Sequence, residues 1–290
     1  MKKIFPLLFL ISFSISSFSQ YEYFGTIKLN DDASKIITYR IVFSLKKGIV
    51  NGYSVTDIGG DNETKNSILG NYSSETKVLT FKESGLLYTK SKISQDSFCF
   101  VNFTGVAKLK SPNSKMEGSF KGLFKNKTKC IDGTIIMLNL MKIEKKITKL
   151  NKKAQKSILI KKEIKQRMAE ISLLDSLKVN TLKKDQNLNI FVDSDEIEIE
   201  IWDSKIEDGD KIDLFLNGKR ILDNYRVLNT KKILKVKLQS AENIFRIEAT
   251  SEGERKLNTT MIHLIDKKRI FEMSTNLKKG EKTSISIFKN

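Results

Sequence analysis

The sequence predicts a mainly β protein in three parts: an N-terminal antiparallel β-barrel or sandwich, a central long amphipathic helix and a C-terminal β-sandwich. Three observations carry this. Eight short runs rich in β-branched and aromatic residues, separated by turn clusters, fill residues 21–140. Between Gly133 and Gly209 there is neither glycine nor proline, and apolar residues recur at three- to four-residue spacing. From residue 196 glutamate and isoleucine alternate without a break to Trp202, and further short runs follow.

Residues 1–20 read as a cleavable secretion signal. Lys2 and Lys3 precede an apolar run from Ile4 to Ile11, and Ser12 to Ser19 closes it with small residues, placing cleavage near Ser19 or Gln20. A spanning helix needs about 20 apolar residues, and the serines interrupt sooner. No cysteine stands near the cleavage point, so a lipid anchor is not expected, and no later segment is apolar enough to span a bilayer. The expected destination is the periplasm, the cell surface or the extracellular space.

Residues 21–140 form the first domain. Its expected strands are 21–29, 36–45, 49–55, 67–72, 78–81, 98–109, 116–124 and 131–138, the spacing of an up-and-down meander. A glycine recurs between apolar or small residues at Gly70, Gly105, Gly118 and Gly133. Such glycines either curve the sheet or shape a ligand cavity, and curvature is the simpler expectation. Cys99 and Cys130 are the only two cysteines, and an oxidising compartment favours joining them as one structural disulfide.

Residues 141–185 are the expected helical linker. Ile143, Ile147, Leu150, Ala154, Ile158, Ile164, Met168 and Ile171 mark an apolar stripe on a helix running over roughly 143–177. Half of the formal charge of +18 sits here: 14 basic against 5 acidic residues give +9, whereas 19 against 18 leave residues 186–290 at +1. The helix is expected to pack on a flanking domain or on itself, and its basic face suits an anionic envelope surface as the competing reading. Nucleic acid is not expected, because lysine predominates over arginine and no aromatic residue interrupts the stretch.

Residues 186–290 return to strands at 196–202, 211–216, 233–238, 243–249, 261–265 and 283–288, with a turn at Asn217-Gly218. The alternation puts Glu196, Glu198 and Glu200 on a wet face and Ile197, Ile199 and Ile201 on a core face. Six marked strands in about 100 residues approach the seven of an immunoglobulin-like sandwich. No cysteine lies in this half, so the inter-sheet disulfide of antibody domains is absent.

Ile201-Trp202-Asp203, the stretch from Glu207 through Gly218, Ala241-Glu242-Asn243 and Ser274-Thr275-Asn276-Leu277 resemble a β-sandwich domain that recurs in exported proteins of Bacteroidota-type bacteria. That family commonly carries paired prolines before an Asn-Thr; here residues 252–257 precede Asn258-Thr259 without them. Gly52 to Gly60 and Phe98-Cys99-Phe100-Val101 are similar to the front half of other such exported proteins, with a lipocalin-like β-meander. The resemblance implies no activity and assigns no functional residue.

The chemistry that can be read is sparse. The single histidine, His263, lies in a strand, which excludes multi-histidine metal sites and makes a triad improbable. No phosphate-cradling glycine loop is present. Asp57, Asp61 and Glu63 share one loop, and Asp203, Glu207, Asp208 and Asp210 share another. The second group is a weak calcium candidate: it offers oxygens but fails the EF-hand register, since Lys205 stands where an acid is wanted. No catalytic constellation and no cofactor are expected. The expected function is a secreted or periplasmic non-catalytic binding protein, its first domain taking a small apolar ligand, a glycan or a protein partner and its sandwich acting as an accessory module. Two alternatives stand beside it: envelope attachment through the 141–185 helix, and a carboxylate-based hydrolase of extracellular carbohydrate, which needs two acids about 5–9.5 Å apart in an open groove.

Overall fold

The computed structural model describes residues 20–32, 34–109, 111, 114–157, 161, 179–204, 207–253 and 258–290. The expected leader, apart from Gln20, and the expected helix beyond residue 157, apart from Lys161, lie outside the described residues.

The first eight strands are β1 (Gln20–Leu29), β2 (Ile36–Lys46), β3 (Ile49–Thr56), β4 (Thr64–Tyr72), β5 (Val78–Thr89), β6 (Phe100–Ala107), β7 (Lys115–Leu123) and β8 (Lys129–Asn139). Each pairs antiparallel with the next, and β8 returns to β1, so the sheet closes as an eight-stranded barrel. Closure decides between the two architectures the sequence left open, because it removes both sheet edges at once. Every strand expected from the sequence is present. Strand β5 runs well beyond residue 81, and the reason is tertiary: Tyr88 and Thr89 pair with Ile190 and Asn189 of a later strand.

Alternate residues point inward and fill the barrel. Tyr23, Tyr39, Phe43, Phe103, Met116, Ile135 and Met137 are each less than 2 % exposed. The repeated glycines serve curvature: Gly105 and Gly118 face each other across β6 and β7, and the Phe103 ring lies where a side chain on either would stand. Cys99 and Cys130 face each other with sulfurs 1.96 Å apart and join the chain just ahead of β6 to β8 across β7. Gly122 of β7 lies beneath them; a Cβ there would fall 2.5 Å from the Cys99 sulfur, so the crossing needs a residue without a side chain.

One helix follows, α1 (Leu140–Lys156). It starts earlier than the apolar stripe suggests because Asn139 ends β8 and its Oδ1 accepts the Met141 N–H at 3.0 Å. It ends at Lys156, where Ser157 takes extended backbone (φ −74°, ψ 131°) and its N–H bonds Ala154 in a tightened last turn. Leu140 and Ala154 are its buried residues.

Ten strands complete the fold: β9 (Asn180–Leu182), β10 (Asn187–Val192), β11 (Glu196–Trp202), β12 (Asp210–Leu216), β13 (Lys219–Arg226), β14 (Lys232–Lys237), β15 (Glu242–Glu252), β16 (Met261–Asp266), β17 (Arg269–Thr275) and β18 (Lys282–Lys289). They form two layers, ordered β13-β12-β15-β18-β10 and β14-β11-β16-β17-β9. Ile197, Ile199 and Ile201 face Leu214, Phe245, Ile247 and Ile285 in one continuous core, as the alternation required. Tyr88 of the barrel belongs to that same core. The first layer therefore continues through the β10–β5 pairing into the barrel wall.

Candidate functional site

Among the described residues, one acid points into the barrel interior. Leu79, Phe81 and Glu83 point inward from β5, and Glu83 is 6 % exposed. Its Oε1 accepts the Tyr39 hydroxyl at 3.0 Å and the Ser54 hydroxyl at 2.6 Å, and its Oε2 accepts the Val101 N–H at 2.8 Å. Burial raises the Glu83 carboxyl above the ordinary range, and these donors oppose the shift. The group is a buried polar tie between β2, β3, β5 and β6.

The seam between barrel and sandwich is polar. Glu63 is 3 % exposed; its Oε1 accepts the Tyr88 hydroxyl at 2.7 Å, its Oε2 the Gly59 N–H at 2.7 Å, and Lys90 Nζ stands 3.6 Å away. Lys90 in turn donates to the Thr181 carbonyl of β9 at 3.0 Å. Nearby, Lys65 Nζ lies 3.8 Å over the Tyr53 ring, and its pKa is pushed down to about 8, by burial first and by the Arg40 charge second. The loop acids seen in the sequence are thus spent on structure: Asp57 Oδ2 accepts the Asn62 N–H at 3.1 Å, and Asp61 Oδ1 accepts from Gln186 across the seam at 3.0 Å.

Open space lies on the barrel's outer face. A groove of about 760 Å³ crosses β4 to β7, lined by Leu69, Thr80, Lys82, Asn102, Thr104 and Lys121. It adjoins a second groove of about 620 Å³ that reaches the sandwich, bordered by Phe100, Phe124, Lys125, Lys127 and Phe191. Lys82, Asn102 and Leu123 are common to both. The one acidic side chain in this lining is that of Glu83, which is turned into the barrel. The rim is therefore cationic over amides and hydroxyls, a surface suited to an anionic, hydroxyl-bearing chain.

The acidic loop between β11 and β12 behaves differently from the first. One carboxylate oxygen from each of Asp203, Asp208 and Asp210 lies within 4.8 Å of the others. Asp203 is 3 % and Asp210 1 % exposed. Asp210 Oδ2 accepts the Thr259 N–H at 2.8 Å. Burial, with the charges of Asp208 and Asp203 behind it, raises the Asp210 carboxyl to about 6. Glu207, grouped with them by sequence, is not brought in: its Oε1 accepts the Asn229 N–H at 2.6 Å. Lys205 lies outside the described residues.

Comparison with protein-family models, with curated proteins and with solved structures finds no match to this chain. Function therefore has to be argued from the sites themselves.

His263 stands on the outer face of the second layer. Its Nδ1 lies 3.1 Å from Glu200, its Nε2 3.6 Å from Glu272, and its ring meets Trp202 edge-on at 4.5 Å. Both nitrogens thus face carboxylates of the same sheet. Sequence reasoning missed Glu83, although the inward alternation Leu79, Phe81, Glu83 is visible in it. It also missed Lys65 and Lys90, whose burial comes from the sandwich docking on the barrel, a contact with no local signal.

Proposed function

We propose that this is an exported, non-catalytic binding protein whose barrel takes an anionic, hydroxyl-bearing chain of the acidic-polysaccharide class on its outer face. One observation carries the reading: the interior is filled by Tyr23, Tyr39, Phe43 and Phe103, while about 760 Å³ of lysine-rimmed space lies outside. A filled small barrel leaves no room for an apolar ligand, and amides and hydroxyls over half-buried Phe100 and Phe124 favour a glycan over a lipid. The meander is lipocalin-like in strand order, and the sandwich reads as immunoglobulin-like, its layers closed by the parallel β10–β18 and β9–β17 pairs. Export is supported by the leader-like start and by the joined Cys99 and Cys130.

Titration of the chain with a uronic-acid polysaccharide and with a neutral one tests this. The acidic polymer is expected to bind, with affinity falling steeply between low and physiological salt; Lys82→Glu with Lys121→Glu should abolish it. Equal binding of the neutral polymer, or an indifferent double variant, would remove the reading. Shortening of the polymer on incubation would put the hydrolase in its place.

A further inference from the structure

We propose that Asp203, Asp208 and Asp210 form a calcium site at the loop end of the sandwich. Three carboxylates converge on one small volume, and two of the side chains that carry them are almost wholly buried. Asp210 marks the unfilled position: its Oδ2 is satisfied by Thr259, but its Oδ1 is buried with no hydrogen-bond partner among the described residues. A buried carboxylate oxygen with nothing to accept calls for an outside cation or donor.

The donor set selects the ion. All three ligands are hard carboxylate oxygens, which suit calcium or magnesium rather than a softer transition metal. Oxygens that lie within 4.8 Å of one another can meet one ion at the roughly 2.3–2.6 Å typical of calcium. Magnesium keeps most of its waters and is usually held by one or two carboxylates, whereas calcium takes a shell richer in protein oxygens. Glu207 is outside the shell, since its carboxylate is held by Asn229.

The chain carries its own reporter, because its one tryptophan, Trp202, directly precedes Asp203. The full chain, stripped with a chelator, is titrated with terbium and excited through Trp202. Saturable sensitised emission is expected, displaced by calcium at roughly tenfold lower concentration than by magnesium. Asp208→Asn and Asp210→Asn should each weaken terbium by about tenfold or more, and Glu207→Gln should leave it unchanged. Thermal unfolding supplies a signature a merely structural role would not move: millimolar calcium should raise the melting point of wild type over its value in chelator, and raise that of each Asn variant by less, since each has lost a ligand. If Asp210→Asn does not fold, Asp208→Asn alone decides. No saturable emission, equal displacement by magnesium, or Asn variants that bind like wild type would each overturn the site.

Discussion

The barrel and the sandwich solve the same problem, burying one face of every strand, and end with opposite distributions of charge. The barrel closes on itself, draws its one interior acid into a set of neutral donors, and leaves its lysines around a groove on the outer wall. The sandwich is open, has a continuous apolar core and brings three acids together where β11 turns into β12. Closure exhausts the inside of a small barrel, so recognition moves to its wall; an open sandwich offers its end loops. The two are welded rather than tethered, since β5 belongs to the barrel at one end and pairs with β10 of the sandwich at the other.

The largest test of that contrast is in the cores. Phe103→Ala should cost the barrel about 3–5 kcal/mol and Ile287→Ala the sandwich about 2–5 kcal/mol. If the weld matters, Tyr88→Ala should lower both regions, whereas Phe103→Ala lowers the barrel first; calorimetry separates the cases, and identical scans for all three would show one indivisible unit. Next in size is the strap over β7. Its cysteines are 31 residues apart, so reduction should cost about 3–4 kcal/mol of barrel stability, read as a lower denaturant midpoint, and leave the sandwich unchanged.

The smallest effects are titrations of opposite sign. Lys65 at the seam is depressed from the ordinary lysine value of 10.5 to about 8, so between those values the unfolded chain binds the extra proton and stability rises with pH. Lys65→Met should flatten that rise and add about 1 kcal/mol at neutral pH. Glu83 is raised, so it favours the fold at acid pH, and its contribution is lost as pH climbs through its folded value. Glu83→Gln should remove that decline; a variant whose stability followed the wild-type curve from pH 4 to 7 would show that the carboxyl is not held as described.

Much of the fold was legible because its signals are local. The eight barrel runs and the Glu-Ile alternation of β11 each depend on neighbouring residues alone. Strand β17 was overlooked although Phe271, Met273 and Thr275 alternate inward, and β13 although the Asn217-Gly218 turn announces a hairpin partner. The calcium candidates were named by composition, but composition could not tell that Asp203, Asp208 and Asp210 converge while Glu207 turns away.

By itself the sequence determined where most of the strands would lie, which face of each would be apolar and that its two cysteines had only each other, because period-two alternation and residue counts need no partner. Only the tertiary structure decided that the meander closes, that Phe103 and its neighbours leave the inside full, that β5 crosses into the sandwich and that three aspartates share one buried volume. Those outcomes rest on contacts between residues far apart in the chain, whose energies no local pattern encodes.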